Sequence, residues 1–516
     1  MSSIAQQPPS AALEARIAPV AERIAEHVAK PLTRPTGRCF DLVSLVEFSA
    51  SHPIVDAGLF ARTATARRAT VNPGRMERSM AQREGARSID RRVFLKVAGA
   101  ATGAAVVGGI PAIVAAQKAP SFPKGTKLNI LEWVSFVPAS DVEFKRLAGE
   151  FGKLAGVDVT VDLINMNDLN PRIASAIETK SGPDIIMMIS NWPHLYADGL
   201  ADVEDVAEEI AKRDGAYYEH NRMVSVVGNR WKAVPLCSVP STWAYREDWF
   251  KEAGAGKWPD TWDELRKVGI ELKKKNRPMG QAFGHSLGDP NNWAYSVTWG
   301  FGGAEIDESG KVAINSKGTL EAVKFTVGVW KDCLDEGGLA WDDSSNNRAY
   351  LAGTISGTIN GASIYFVAKR QFPDIVKVTN HGHMPKGPGG RFYAIGGQGR
   401  AVMKYSKNQQ VAKEFLRWFM DRPQYDKWMA ANDGYVVGPT PYWEKHALWE
   451  KDPKLAPFKE SVKFGRVPGY PGPPNRKSSE ALVKYILVDM YAQAIKGMKP
   501  EDAVKWAEGE LKKAYA

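Results

Sequence analysis

The sequence predicts an α/β protein whose mostly parallel sheets are flanked by helices, and three observations carry that expectation. Residues 127–189 alternate between two patterns: Leu128-Asn129-Ile130-Leu131-Glu132-Trp133 and residues 157–163 read as strands, while 140–155 and 172–180 space their apolar residues as helices do. The third strand, Ile185-Ile186-Met187-Met188-Ile189, is a continuous apolar run of the kind a strand buried on both faces needs. Strand, helix, strand, helix, strand is the succession of a parallel sheet. The 400 residues from 117 to 516 suit two such domains.

The chain before residue 117 is a different kind of sequence. All 16 Trp and all 16 Tyr lie after residue 132, and residues 1–89 hold only Phe40, Phe48 and Phe60, too little to build a core. After one amphipathic stretch at 11–30 there is no clear period, so residues 1–79 read as an over-extended, disordered gene start, with Met80 the expected initiator. Asp90-Arg91-Arg92-Val93-Phe94-Leu95-Lys96 then leads into uncharged residues 97–116. Paired arginines, Phe-Leu-Lys and a mild apolar run resemble the signal peptide of the bacterial twin-arginine route. The run is long enough to span a bilayer. Gly99, Gly103, Gly108, Gly109 and Pro111 nevertheless weaken it as a helix, and Val114-Ala115-Ala116 supplies the small residues a signal peptidase accepts. Residues 80–116 are therefore expected to be a twin-arginine signal, with Arg91 and Arg92 read by the translocase and a mature protein starting near Gln117. With no cysteine between residues 40 and 236, no lipid-attachment site follows.

Further along, Ala233-Val234-Pro235-Leu236 and Thr242-Trp243-Ala244-Tyr245 flank a segment leaving the first domain, with a crossover at 240–245. Thr261 and Glu264 form a capping box that opens a helix, which makes Trp262 a core residue. Trp330, Trp418 and Trp506 lie in helix-like stretches and read as core too. Residues 394–402 are glycine-rich and extended, Asn432-Asp433-Gly434-Tyr435 breaks a helix, and helices are expected at 478–496 and 500–515 with Pro500 in a first turn.

Charge and motifs exclude several function classes. The formal +10 of the chain divides into +6 before residue 117 and +4 after it. Lys and Arg are scattered among acids rather than clustered as a phosphate-neutralising surface, so no nucleic-acid partner is expected. Cys237 and Cys333 are 96 residues apart, without CxxC or histidine at ligand spacing, and their pairing is left open. No GxGxxG after a strand, GxxxxGK[ST], HExxH or GxSxG is present, so no enzyme, cofactor or metal site is expected. His381-Gly382-His383 reads as a solvated loop pair, and Asp342-Asp343 as a solvated turn or N-cap.

Over nearly all of the expected mature chain the sequence resembles the extracellular solute-binding proteins of bacterial ABC importers, in the group that includes the maltose- and other sugar-binding proteins. The resemblance rests on the order of Gly182-Pro183-Asp184-Ile185-Ile186, of Tyr245-Arg246-Glu247-Asp248 before the Thr261 helix, and of Trp299-Gly300-Phe301-Gly302-Gly303. Asn360-Gly361-Ala362-Ser363, Ala394-Ile395-Gly396-Gly397-Gln398-Gly399 and Ser406-Lys407-Asn408 continue it. Arg246-Glu247 departs from the Asn usual after that tyrosine. The resemblance implies two lobes closing on a solute about a hinge. It places one lobe at 117–241 and 396–430, the other at 245–393 and 434–516. It also implies a periplasmic monomer that serves a membrane permease and its ATPase.

A sugar site needs flat aromatics against C–H faces and amides against the hydroxyl rim. Trp133, Asn191, Trp192, Asn291, Asn292 and Trp293 in expected loops meet that need, with Trp243, Ser363, Tyr365, Gly397, Gln398 and Tyr435 from crossover-side segments. Trp293 leads, because it joins adjacent amides to a position where the resembling sugar binders carry an aromatic contact. Arg172, Arg246 and Arg400 fall near cleft-edge positions. A carbohydrate or polyol therefore comes first, followed by a phosphorylated polyol, an iron chelate or polyamine in the same fold, and a cofactor-bearing exported enzyme.

Overall fold

The computed structural model describes residues 122–516. The expected gene start and signal, Arg91 and Arg92 included, lie outside the described residues. In chain order the elements that carry the site are β1 (Lys127–Trp133), α1 (Pro138–Ala155), β2 (Asp158–Ile164), α2 (Met166–Thr179), β3 (Ile185–Ile189), α3 (Trp192–Tyr196), β4 (Val234–Ser238) and β5 (Thr242–Arg246). They continue with α4 (Trp262–Lys274), α5 (Asp289–Gly300), α6 (Lys317–Cys333), β6 (Gly357–Asn360), α7 (Ser363–Gln371), β7 (Thr379–Gly382) and β8 (Gly397–Val402). Last come α8 (Gln409–Phe419), α9 (Arg422–Asn432), α10 (Arg476–Val483), α11 (Ile486–Ile495) and α12 (Pro500–Tyr515). No helix among the described residues is long and apolar enough to cross a membrane.

Two sheets organise this α/β chain. The first has strand order β2-β1-β3-β8-β4, with β1 parallel to β2 and β3 and with β8 antiparallel to β3 and β4. The second has order β6-β5-β7, both pairs antiparallel, so the parallel expectation fails there. The physical reason is shared. β6 and β7 run alike through the α7 crossover, and β5 enters between them from the first sheet; β8 likewise returns from the second sheet into the first. In each sheet the strand that opposes its neighbours is the one arriving from elsewhere.

Local rules explain the boundaries. α1 ends on Gly156 at φ 71°, and α9 ends through Asp433 and Gly434 at φ 51° and 91°, a left-handed pair that only the Asn-Asp-Gly run supplies easily. Thr261 and Glu264 form the expected capping box, and Trp262 is buried. The helix expected at 478–496 is instead broken into α10 and α11 at Tyr485, whose φ is 55°. Apolar periodicity continued through that break, so the pattern alone concealed it. Cys237 and Cys333 are both free and buried.

Candidate functional site

A cavity of about 110 Å³ lies among the ends of β1, β3 and β6, the segments joining the sheets, and the first turns of α5. Trp133 ends β1, Ser190 follows β3, and Ser241 lies between β4 and β5; Asn360 and Ser363 bracket the turn from β6 to α7. Gln398 comes from β8 and Tyr435 from the segment after α9.

The aromatic wall is made by Trp133, packed edge-on to Phe136 at 5.5 Å and tilted against Tyr435 at 6.5 Å. Among the described residues, no group hydrogen-bonds the Trp133 indole N–H, the Tyr435 hydroxyl or Gln398 Nε2, although these residues are only 4–6 % exposed. Polar atoms that stay accessible and unpartnered in otherwise buried residues at a cavity are the groups a bound solute satisfies. Asn292 is anchored by donating to Ser241 Oγ at 2.8 Å, and Asn291 by donating to the Leu287 carbonyl at 3.1 Å, which turns their carbonyl oxygens free to accept.

The floor is acidic. Asp343 accepts from Ser286 Oγ (2.9 Å), Gly288 N (2.9 Å) and Asp289 N (2.7 Å). Asp289 accepts on Oδ2 from Asn346 Nδ2 at 2.7 Å. Burial, and then the Asp343 charge, drives Asp289 well above the usual carboxylate range; burial raises Asp343 too, against the three donors that favour its anion.

Half of the expected site residues meet here: Trp133, Asn291, Asn292, Ser363, Gln398 and Tyr435. The other six do not. Trp293 is fully buried between Trp262 (5.4 Å) and Phe283 (5.6 Å) and donates to Thr326 Oγ1, because residues 289–300 form a helix rather than a loop and turn its ring inward. Trp243 packs on Trp258 and Trp262 in the core, and Trp192 is buried at the start of α3. Tyr365 lies against His381 at 5.1 Å on the far side of α7. Asn191 serves a contact between segments, its side-chain Nδ2 donating to Ser478 Oγ and its backbone carbonyl accepting from Ser479 Oγ. Gly397 is needed for close approach: a Cβ there would lie 2.2 Å from Asn221 Oδ1.

Other expectations change as well. Arg400 is 2 % exposed and paired to Glu132, Arg246 is paired to Asp248 and stacked on Trp249, and Arg172 is exposed away from the cavity. No Lys, Arg or His among the described residues lines the cavity. His381 and His383 are not a free loop pair: His381 is buried beside the Lys454 carbonyl, and the part-buried His383 bonds to Tyr393 and Glu460. Asp342 is the expected exposed turn acceptor, but Asp343 next to it is buried. Sequence reasoning missed Asp289, Asp343 and Tyr295. A proline after Asp289 was the one local sign that a helix starts there.

Comparison with known proteins follows from this geometry. A family model described as "Bacterial extracellular solute-binding protein" matches residues 146–457. A Deinococcus radiodurans protein named "Probable ABC transporter-binding protein" is 24% identical over 344 residues, covering 64% of this chain and 80% of its own. Among solved structures, maltose-bound MalE3 of T. maritima superposes with TM-score 0.66 at 20% identity, over 75% of this chain and 99% of that one. An ABC transporter solute-binding protein of Agrobacterium radiobacter K84 in complex with ribitol gives TM-score 0.65 at 20% identity, over 76% and 99%. The match to more than half of the residues makes the chain a member of the bacterial extracellular solute-binding protein family, whose work is to hold a solute and not to transform it.

Proposed function

We propose that this chain is the periplasmic solute-binding component of an ABC importer, capturing a carbohydrate or polyol between two lobes and delivering it to a membrane permease and its ATPase. The observation that carries the reading is the cavity wall: the aromatic rings of Trp133 and Tyr435 beside the amide groups of Gln398, Asn291 and Asn292, with no basic side chain among the described residues that line it. Aromatic faces and fixed amides suit the two surfaces of a sugar or polyol. Maltose and ribitol in the two similar structures agree with that class. A phosphorylated polyol loses ground, because an anion would be placed beside Asp343 with no cation to receive it.

Lobe one comprises 117–241 and 396–430 in this proposal, and lobe two 245–393 and 434–516, moving as a monomer about 241–245, 394–400 and 430–434. A solute that shifts the lobes must prefer their closed arrangement. A thermal-shift screen of sugars and polyols is expected to give at least one stabilising solute, and saturating amounts of it should reduce the radius of gyration in small-angle scattering. Stabilisation without any compaction would refute lobe closure; no stabilising sugar or polyol would refute the solute class.

Export by the twin-arginine route is the companion proposal, resting on Arg91 and Arg92 ahead of the apolar run. Replacing both by Lys is expected to leave precursor in the cytoplasm, followed by immunoblotting of cell fractions. Undiminished periplasmic delivery would remove the assignment.

A further inference from the structure

We propose that the solute carries an ammonium group beside its hydroxyls, as an amino sugar or amino polyol does, and that Asp343 and Asp289 receive it. This deepens, and rests on, the solute-binding reading of the same cavity. Among the described residues that line the cavity, Asp289 and Asp343 are the charged ones, exposed by only 5 % and 7 %. A buried carboxylate without a cation is costly unless it is paired.

No described residue lining the cavity supplies that cation. Arg400 is committed to Glu132 at 2.6 Å, and Arg246 to Asp248 at 2.7 Å. What the protein does supply are hydrogen bonds that fix both carboxylates: Ser286 Oγ and two backbone N–H groups on Asp343, and Asn346 on Asp289 Oδ2. Asp289 also accepts from Asn360 Nδ2 at 3.4 Å, and the Asn292 amide supports its charged form as well. The carboxylates are thus held in position with acceptor capacity left over.

The rest of the wall suits such a solute. Gln398 is an independent mark of a ligand: the residue is only 6 % exposed, its Oε1 is fixed by Cys237 Sγ, and its Nε2 has no partner among the described residues at the cavity. Its N–H groups, with the Trp133 indole N–H and the Tyr435 hydroxyl, face hydroxyl oxygens. Trp133 and Tyr435 also offer π faces, which attract a cation as well as a C–H surface. A neutral polyol leaves the Asp343 charge uncompensated; an ammonium group compensates it.

The test compares matched solutes by calorimetry on the folded, exported protein: glucosamine against glucose and against N-acetylglucosamine, and glucamine against sorbitol. The amine is expected to bind roughly tenfold or more tightly than its neutral partner, as close charge pairs at desolvated sites do. Acetylation, which keeps the nitrogen and removes its charge, should abolish the advantage. Asp343→Asn and, separately, Asp289→Asn should shrink the amine-to-neutral affinity ratio towards one. The wild-type ratios stand by themselves if Asp343→Asn, which loosens residues 286–289, fails to fold. Equal or tighter binding of the neutral partners overturns the ammonium assignment and leaves the sugar or polyol reading intact. Failure of every amine alongside binding of some neutral sugar or polyol does the same, whereas failure of all sugars, polyols and amines removes both.

Discussion

Arg400→Met is expected to lower the free energy of unfolding by roughly 3–5 kcal/mol, because it leaves the Glu132 carboxylate buried without its partner. Glu132 is 4 % exposed and Arg400 2 %, with Nε on Oε1 at 2.6 Å and Nη2 on Oε2 at 3.1 Å. The guanidinium also lies 4.1 Å from the Phe144 ring centroid and 4.4 Å from that of Phe419, so methionine keeps apolar contact while the charge is lost. The pair joins β1 to β8, the strand that returns from the second sheet, and so it ties the chain crossing to the first sheet. The double variant Arg400→Met/Glu132→Gln should recover much of the loss, since no charge is then stranded. Urea unfolding followed by circular dichroism reads both effects. A single-variant loss within about 1 kcal/mol, the range of exposed pairs, would mean that water reaches Glu132 in the fold.

Arg400 shows where the sequence stopped being legible. Its position beside Gly397-Gln398-Gly399 suggested a cleft edge, and β8 does reach the cavity through Gln398. Residues two apart on a strand share a face, and Gln398 and Arg400 do line one smaller pocket together with Glu132, Trp133 and Tyr435, but Arg400 sits deeper there and spends its charge on Glu132. The elements were legible because their signals are local: β3 is an unbroken apolar run, the Thr261 capping box is three residues wide, and α9 ends on Asn-Asp-Gly. Strand direction in the second sheet was not, because it depends on which segment enters between β6 and β7.

The site was half legible for the same reason. Trp133 and Tyr435 follow a strand end and a helix break, which local pattern marks, and both reach the cavity. Asp343 could not be told from Asp342: one is an exposed turn acceptor, whereas the other is buried by Ser286 and Gly288, 57 and 55 residues earlier in the chain. Asn291-Asn292 looked like a loop because amides favour turns, yet Gly288 and Asp289-Pro290 start a helix ahead of them.

Trp293→Ala is expected to destabilise the protein by about 3–5 kcal/mol while changing solute affinity less than about threefold. On α5, Asn292 and Tyr295 face the cavity, and each residue advances about 100° round a helix, so Trp293 is carried past the cavity edge. Its ring fills the space between Trp262, Phe283 and Thr326, all buried. Alanine removes that volume, leaves a cavity in close-packed surroundings, and strips Thr326 Oγ1 of the indole donor. Neither change touches Asp289, Asn291 or Asn292 directly, provided the helix keeps its place. Denaturant unfolding and calorimetry on the same preparation separate the two roles. A tenfold loss of affinity at unchanged stability would return Trp293 to the solute; a large stability loss at preserved affinity fixes it as the packing residue that holds α5, and with it the amides and Asp289, against the cavity.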